Sequence, residues 1–267
     1  MPDTPHTPQA LETRLAQTYD HPSYDDPYDA VEDYRRVQRA AANHPNKGSQ
    51  ALSTVVELPR SRIRSWVDDD ADSMPDAARA VSVAQNNGWL DPSGDTAVGL
   101  AAMTGHVLGG GSITEENYVP SVCEGRRVTT SDIGRAFREM GVRSDLRHEA
   151  SENRATEVIP AEHASILGRT LAVWGVPVGE ARPTGLPVLV ESVDMRGREA
   201  FLKAYIRHRG TNLRQKATTR CQAAYPEGFQ SAVAEAVFEV TGERATARSD
   251  AVTVSAAAMR NLGIAEE

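Results

Sequence analysis

The stretch LAAMTGHVLGGGSI, Leu100 to Ile113, decides how this chain folds. Together with Gly99 just before it, Ala102, Gly105 and Gly109 recur at helical spacing, so one face of the helix carries almost no side chain. Such a face lets a second backbone come close, and the glycine triplet at 109–111 gives the helix its end. A later segment, REAFLKAYIRHRGTNL, carries Ala200, Ala204 and Gly210 in a similar way, less fully. Gly111 and Gly210 close the two helices 99 residues apart.

The sequence beyond each closing glycine repeats. After the first come Cys123 and a helix SDIGRAFREM closed by Gly141; after the second come Cys221 and a helix SAVAEAVFEVT closed by Gly242. Each copy then runs through strand-like sequence to another helix ending at Gly175 or Gly263. Two copies of helix–strands–helix–strands–helix predict an α+β, pseudo-twofold αββαββα domain made from one chain. Cys123 and Cys221 hold similar places in the copies and read as small core residues, too few for a disulfide framework or a zinc set.

Period-two alternation locates a basic face in the second copy. In LRQKATTRCQ, Arg214, Lys216, Thr218, Arg220 and Gln222 share a face, with Leu213, Ala217 and Cys221 behind. In ERATAR, Arg244, Thr246 and Arg248 alternate with Ala245 and Ala247. No acid interrupts these bases, which suits a surface that tracks phosphates. The first copy is weaker: Arg143 and Arg147 share their face with Asp145, and Arg126–Arg127 ends a strand.

Upstream, residues 1–27 read as a loose arm, with helical sequence around ALETRLAQTY. A helix then fits YDAVEDYRRVQRAAANHP, with Val31, Tyr34, Val37 and Ala41 on one face and Pro45 as its stop. Ser49 to Val56 make a short helix, ELP a turn, and Pro59 opens a second helix with Ile63, Trp66 and Val67 inward. Arg60, Ser61, Arg62, Arg64 and Ser65 fall outside that stripe, and with Lys47 and Ser49 they form a candidate DNA-reading surface. The segment resembles the homeodomain-like helix-turn-helix modules of transposases and regulators. It matches their small–L–x–x–h–h–x–L–P–R–x–x–h–x–x–W pattern at Ala51, Leu52, Val55, Leu58, Pro59, Arg60, Ile63 and Trp66. A further helix, PDAARAVSVAQNN, stops at Gly88. The domains expected are therefore the arm at 1–27, a helix-turn-helix domain at 28–91, and repeats at 92–180 and 181–267.

The paired small-residue helices and the repeat order resemble the LAGLIDADG homing endonucleases. There an acid at the foot of each helix binds the metals that cut DNA. Carried onto this chain, those positions fall on Gly110 and Arg209: one has no side chain, the other is permanently cationic. Mg²⁺-assisted cleavage needs carboxylate oxygens, so the resemblance implies a scaffold without the enzyme activity, with no metal and no cofactor. A degenerate scaffold joined to a helix-turn-helix is similar, in reversed order, to a family of bacterial sporulation regulators. His148, Glu149, Glu152 and His163 lack a metal-ligand spacing.

The net charge of -8, 37 acids against 29 bases, argues against binding nucleic acid through total charge and leaves the placement of the bases to decide. Only Lys47, Lys203 and Lys216 of those bases are lysines, the usage expected of a salt-adapted, halophilic archaeal chain, or of GC-rich coding alone. No apolar run approaches a membrane span and no secretion signal opens the chain, so the expected location is cytoplasmic, on the nucleoid. The function expected is a sequence-specific regulator on double-stranded DNA. Two rivals stand: an endonuclease whose metal acids have moved, and a helix-turn-helix carrying a protein-interaction module.

Overall fold

The computed structural model describes residues 6–68, 73–151, 153–212 and 218–264, and the chain divides between Asn86 and Asn87 into two compact units.

Among the described residues the first unit holds five helices: α1 (Pro8–Ala16), α2 (Pro27–Asn43), α3 (Ser49–Val56), α4 (Arg60–Val67) and α5 (Asp76–Asn86). Thr7 and Asp26 cap α1 and α2 by accepting backbone N–H bonds, each just ahead of a proline whose missing N–H costs nothing there. The core around α3 and α4 is Val37, Leu52, Val56, Leu58, Ile63 and Trp66, with the Tyr34 ring edge-on to Trp66 at 5.7 Å. Between the two helices Glu57 turns left-handed at φ 55, which reverses the chain within three residues and sends Leu58 inward.

The loose arm expected at 1–27 is corrected in part, because α1 is a packed helix. Leu11 and Leu15 are fully buried, and Glu12 is 4% exposed. That carboxylate pairs with Arg35, accepts from the Tyr28 hydroxyl at 2.9 Å and from Gln85 Nε2 at 2.6 Å. A buried charge is tolerable only when its lone pairs are filled, and α2 and α5 fill them. Polar composition hid the anchor, since an acid reads as a surface residue.

The second unit repeats one order twice. The first copy is α6 (Gly94–Gly110), β1 (Gly111–Ile113), β2 (Pro120–Cys123), α7 (Thr130–Glu139), β3 (Ser144–Arg147), β4 (Glu157–Pro160) and α8 (Ala164–Val173). After a five-residue helix α9 (Val188–Ser192), which the sequence does not announce, come α10 (Met195–Arg209), β5 (Gly210–Asn212), β6 (Thr219–Gln222), α11 (Glu227–Thr241), β7 (Ala245–Arg248), β8 (Ala251–Val254) and α12 (Ala256–Asn261). Each copy makes a four-stranded antiparallel sheet in the same order, β1-β2-β4-β3 and β5-β6-β8-β7. Gly141 and Gly242 take φ of +77 and +71 just beyond α7 and α11, the left-handed turn that ends a helix most cheaply at glycine. The unit begins earlier than position 92. Trp89 is fully buried and donates its indole N–H to Met140 O at 2.9 Å, so 87–91 belong here.

Helices α6 and α10 pack along the middle of this unit. A Cβ added at Gly105 would lie 2.4 Å from Phe201 O and 2.9 Å from Ala204 Cβ, so α10 rests directly on bare backbone. Gly99 faces the other way. Its added Cβ would meet Ala136 O and Glu139 Cβ of α7, each at 2.8 Å, so α6 is wedged between two neighbours. Gly210 fits against Thr219 and its own helix end instead of α6.

Candidate nucleic-acid interface

Register fixes which side chains share a sheet face. In the second copy Thr211, Arg220, Thr253 and Thr246 pair across all four strands as one row. Gln222, Ala251 and Arg248 form the next row. Behind them, Cys221 and Val252 are fully buried on the helix-facing side. The outward face is thus hydroxyls, an amide and arginines, with Thr246 and Arg248 exposed and Arg244 exposed just ahead of β7. Arg214 and Lys216, with Leu213 and Ala217, lie outside the described residues. Thr218 is half-buried, its hydroxyl without a partner among the described residues.

One expectation for this face is corrected. An acid does stand among the bases: Asp250, in the turn between β7 and β8, takes Arg220 at 3.0 Å and Gln222 Nε2 at 3.2 Å. Strand alternation could not find it, because a turn residue obeys no two-residue period.

The outward face of the first sheet is different. Ser112 pairs with Ser121, Cys123 and Arg147 both pair with Glu157, and Asp145 pairs with Ile159. Two carboxylates therefore accompany one arginine, and Ser121 Oγ donates to Glu157 at 2.8 Å. Arg143 is exposed but leans on Glu162 at 3.4 Å; Arg126 is exposed and Arg127 half-buried. Cys123 is corrected as a core residue. Gly111 pairs with Val122 whereas Gly210 pairs with Cys221, so the two cysteines are one residue out of register and face opposite sides. Cys221 is buried and its thiol is pushed up to about 12 by desolvation; burial and then Glu157 raise that of Cys123.

On α4, Ile63 and Trp66 point inward, leaving Ser61, Arg64 and Ser65 exposed. Arg64 is 4.0 Å from Asp68 and its side chain is 71% exposed. Arg62 lies over the Tyr24 ring at 4.6 Å, a cation–π seat that holds it partly down. Arg60 is exposed and donates to Ser49 Oγ at 3.3 Å; Lys47 is exposed. Ser49 is corrected as a contact residue: it is 2% exposed and gives Oγ–H and N–H to Asp68 at 2.6 and 3.1 Å. Those two bonds hold the Asp68 carboxyl below its usual range.

At the foot of the paired helices, Gly110 is filled from across the seam. An added Cβ there would lie 2.4 Å from His208 Nδ1, and one at Gly109 2.7 Å from His208 Cβ. His208 Nε2 meets His106 Nδ1 at 3.0 Å. Desolvation first, then the neighbouring positive charge, lowers His106 to about 3 and His208 to about 4, so both rings are neutral near pH 7. Arg209 is half-buried, its Nε without a partner among the described residues, and its charge pulls against the burial that raises the Tyr225 phenol. The Tyr225 hydroxyl donates to Leu108 O at 2.9 Å, a second tie between the copies. Sequence reading missed the imidazole pair. Its trace was a histidine inside an otherwise apolar helix. Among the described residues no group of three His, Cys, Asp or Glu is placed to hold a metal, and no helix is long and apolar enough to cross a membrane.

No protein-family model matches this chain, and no curated protein does. Among solved structures the chain is similar to the homing endonuclease I-WcaI bound to its DNA recognition sequence, at 10% identity. The match covers 67% of this chain and 84% of that one with a TM-score of 0.41. The expectation of a non-enzyme is corrected on that finding, because the similar protein is a nuclease. Gly110 and Arg209 on their own are no ground for a loss of cleavage.

Proposed function

We propose that this chain is a sequence-specific double-stranded DNA-binding protein of regulator type. The α3–turn–α4 pair serves as a helix-turn-helix and the second sheet as a phosphate-tracking saddle. The observation that carries the reading is the outward face of that sheet. In a chain of net charge -8, its strands hold Thr211, Arg220, Thr253, Thr246, Gln222 and Arg248 and no carboxylate. Hydroxyls and guanidinium groups are the donors that phosphate oxygens accept. On α4, Arg64 and its exposed serines supply groups for base edges, a bidentate arginine to guanine being worth about 1–3 kcal/mol of discrimination. The first sheet, with Glu157 and Asp145 outward, contributes less, so the two halves of the site are gripped unequally.

The test is selection of duplexes from a random library by the full chain, then anisotropy titrations over a salt series. Arg244→Ala and Arg248→Ala should each weaken all duplexes alike and flatten the slope of log K against log salt by about 0.9. Arg64→Ala should weaken the selected duplex more than a scrambled one. Absence of duplex binding at low salt, or variants indistinguishable from the parent, overturns the reading. The same duplexes incubated with Mg²⁺ and run on a denaturing gel report any strand cleavage.

A further inference from the structure

Beside the helix seam opens a cavity of about 260 Å³, walled by α6 and α7 of the first copy and α10 of the second. Its lining between the charges is short and apolar, formed by Val98, Ala102, Ala136, Ala200 and Ala204. Four cations stand around it, and three are tied to carboxylates: Arg196 to Asp95 at 3.4 Å, Lys203 to Glu199 at 2.7 Å and Arg207 to Asp132 at 3.5 Å. The fourth, Arg135, is exposed; no hydrogen bond or close ion pair ties it to a described residue, and its charge acts on Asp132 and Glu139 from a distance.

The second observation lies deeper. His106 is 4% exposed and lines the same cavity. Its Nδ1 is occupied by His208, which leaves Nε2 without a hydrogen-bond partner among the described residues. That nitrogen is open to whatever fills the cavity. A guanidinium at the rim held by no close contact, an apolar slot and an open ring nitrogen at the base together describe a ligand with one charge and a compact body.

We propose that this cavity binds a small organic carboxylate, its charge taken by Arg135 with help from Arg207, its apolar body on the alanine walls and its inner edge against His106. A planar carboxylate matches the fork of a guanidinium. Asp132, Glu139 and Glu199 also line the cavity and repel a polyanion, so a nucleotide or a DNA phosphate run does not suit it. The volume suits on the order of ten non-hydrogen atoms, taking roughly 30 Å³ for each water-sized unit. Because the walls come from both copies, such a ligand braces the seam and reaches, through His106 and His208, the glycines at the helix feet.

The experiment uses the full chain labelled with ¹⁵N-histidine, titrated separately with benzoate, benzamide and inorganic phosphate, and read at the ring nitrogens and the thermal midpoint. Benzoate should shift the His106 signals saturably and raise the midpoint, with benzamide and phosphate much weaker. Arg135→Gln should raise the benzoate Kd at least about tenfold, the loss expected for one charge-assisted bond. Ala200→Met, which fills the slot, should abolish the shift. The proposal is overturned if benzoate gives no saturable shift, if benzamide or phosphate acts equally well, or if Arg135→Gln leaves the titration unchanged. Should Ala200→Met unfold the chain, Arg135→Gln decides alone, since its side chain is exposed. None of these readouts involves DNA.

Discussion

Gly105→Ala is the sharpest perturbation of the seam. The new methyl carbon would sit 2.4 Å from Phe201 O, a backbone atom that cannot swing aside, and 2.9 Å from Ala204 Cβ. Carbon and oxygen relax only near roughly 3.3 Å, so α6 and α10 must part by about 0.9 Å there. The same displacement takes the His106–His208 contact from 3.0 Å to beyond hydrogen-bond reach. Overpacking of this kind costs about 1–3 kcal/mol. Stranding two buried ring nitrogens adds about 1–3 kcal/mol. Against this, alanine favours the helix by about 1 kcal/mol over glycine. The net expectation is a loss of roughly 1–5 kcal/mol, which at about 2–4 °C per kcal/mol lowers the midpoint by approximately 2–20 °C. The assay is thermal and urea unfolding of the full chain, with hydrogen exchange resolving peptides of α6 and α10. Gly185→Ala, where an added Cβ meets nothing within 4 Å, is the control and should change little. Adding Ala204→Gly should restore part of the loss, but not the part due to Phe201 O. A Gly105→Ala protein as stable as the parent, with unchanged exchange in α6, would refute the close-packed seam.

The same contacts set other outcomes. The histidine pair has depressed folded-state pKa values, so the unfolded chain binds more protons as acid is added. Stability from the pair is full above about pH 6.5 and falls as pH drops toward 4 and 3, and His106→Asn/His208→Asn should flatten that part of the urea-midpoint profile. Asp250→Asn frees Arg220 and should tighten binding to all duplexes while steepening the salt slope by up to about one unit. Glu12→Ala, which strands Arg35 and Gln85 and releases α1, should cost about 2–4 kcal/mol in urea unfolding, with exchange rising first in α1. Arg62→Ala should weaken the selected duplex less than Arg64→Ala in anisotropy titrations, because Arg62 is already seated on Tyr24.

The helix order, the doubled architecture and the alternating faces of β6 and β7 were legible because each leaves a periodic trace: glycines at helix ends, small residues at helical spacing, arginine against alanine in strands. What escaped the sequence is non-periodic. Glu12 and Ser49 look like surface residues until three-dimensional partners claim their lone pairs and hydrogens. Asp250 sits in a turn, outside any alternation. The facing of Gly99 could not be told from that of Gly105, since a bare helix face does not say which neighbour approaches it. The cysteines matched by order along the chain but not by register, and one residue of slip exchanges the core for the surface. The imidazole pair needed two segments about a hundred residues apart to be superposed to within an ångström.

The seam is complementary instead of self-matching. At its foot one helix offers Gly109 and Gly110 and the other offers His208 and Arg209, so the ring of one fills the hollow of the other. Two copies of the first half would face hollow against hollow; two of the second would crowd imidazoles and guanidiniums together. With feet so unlike, the seam forms only between the two different halves, and the chain that joins them fixes their one-to-one pairing.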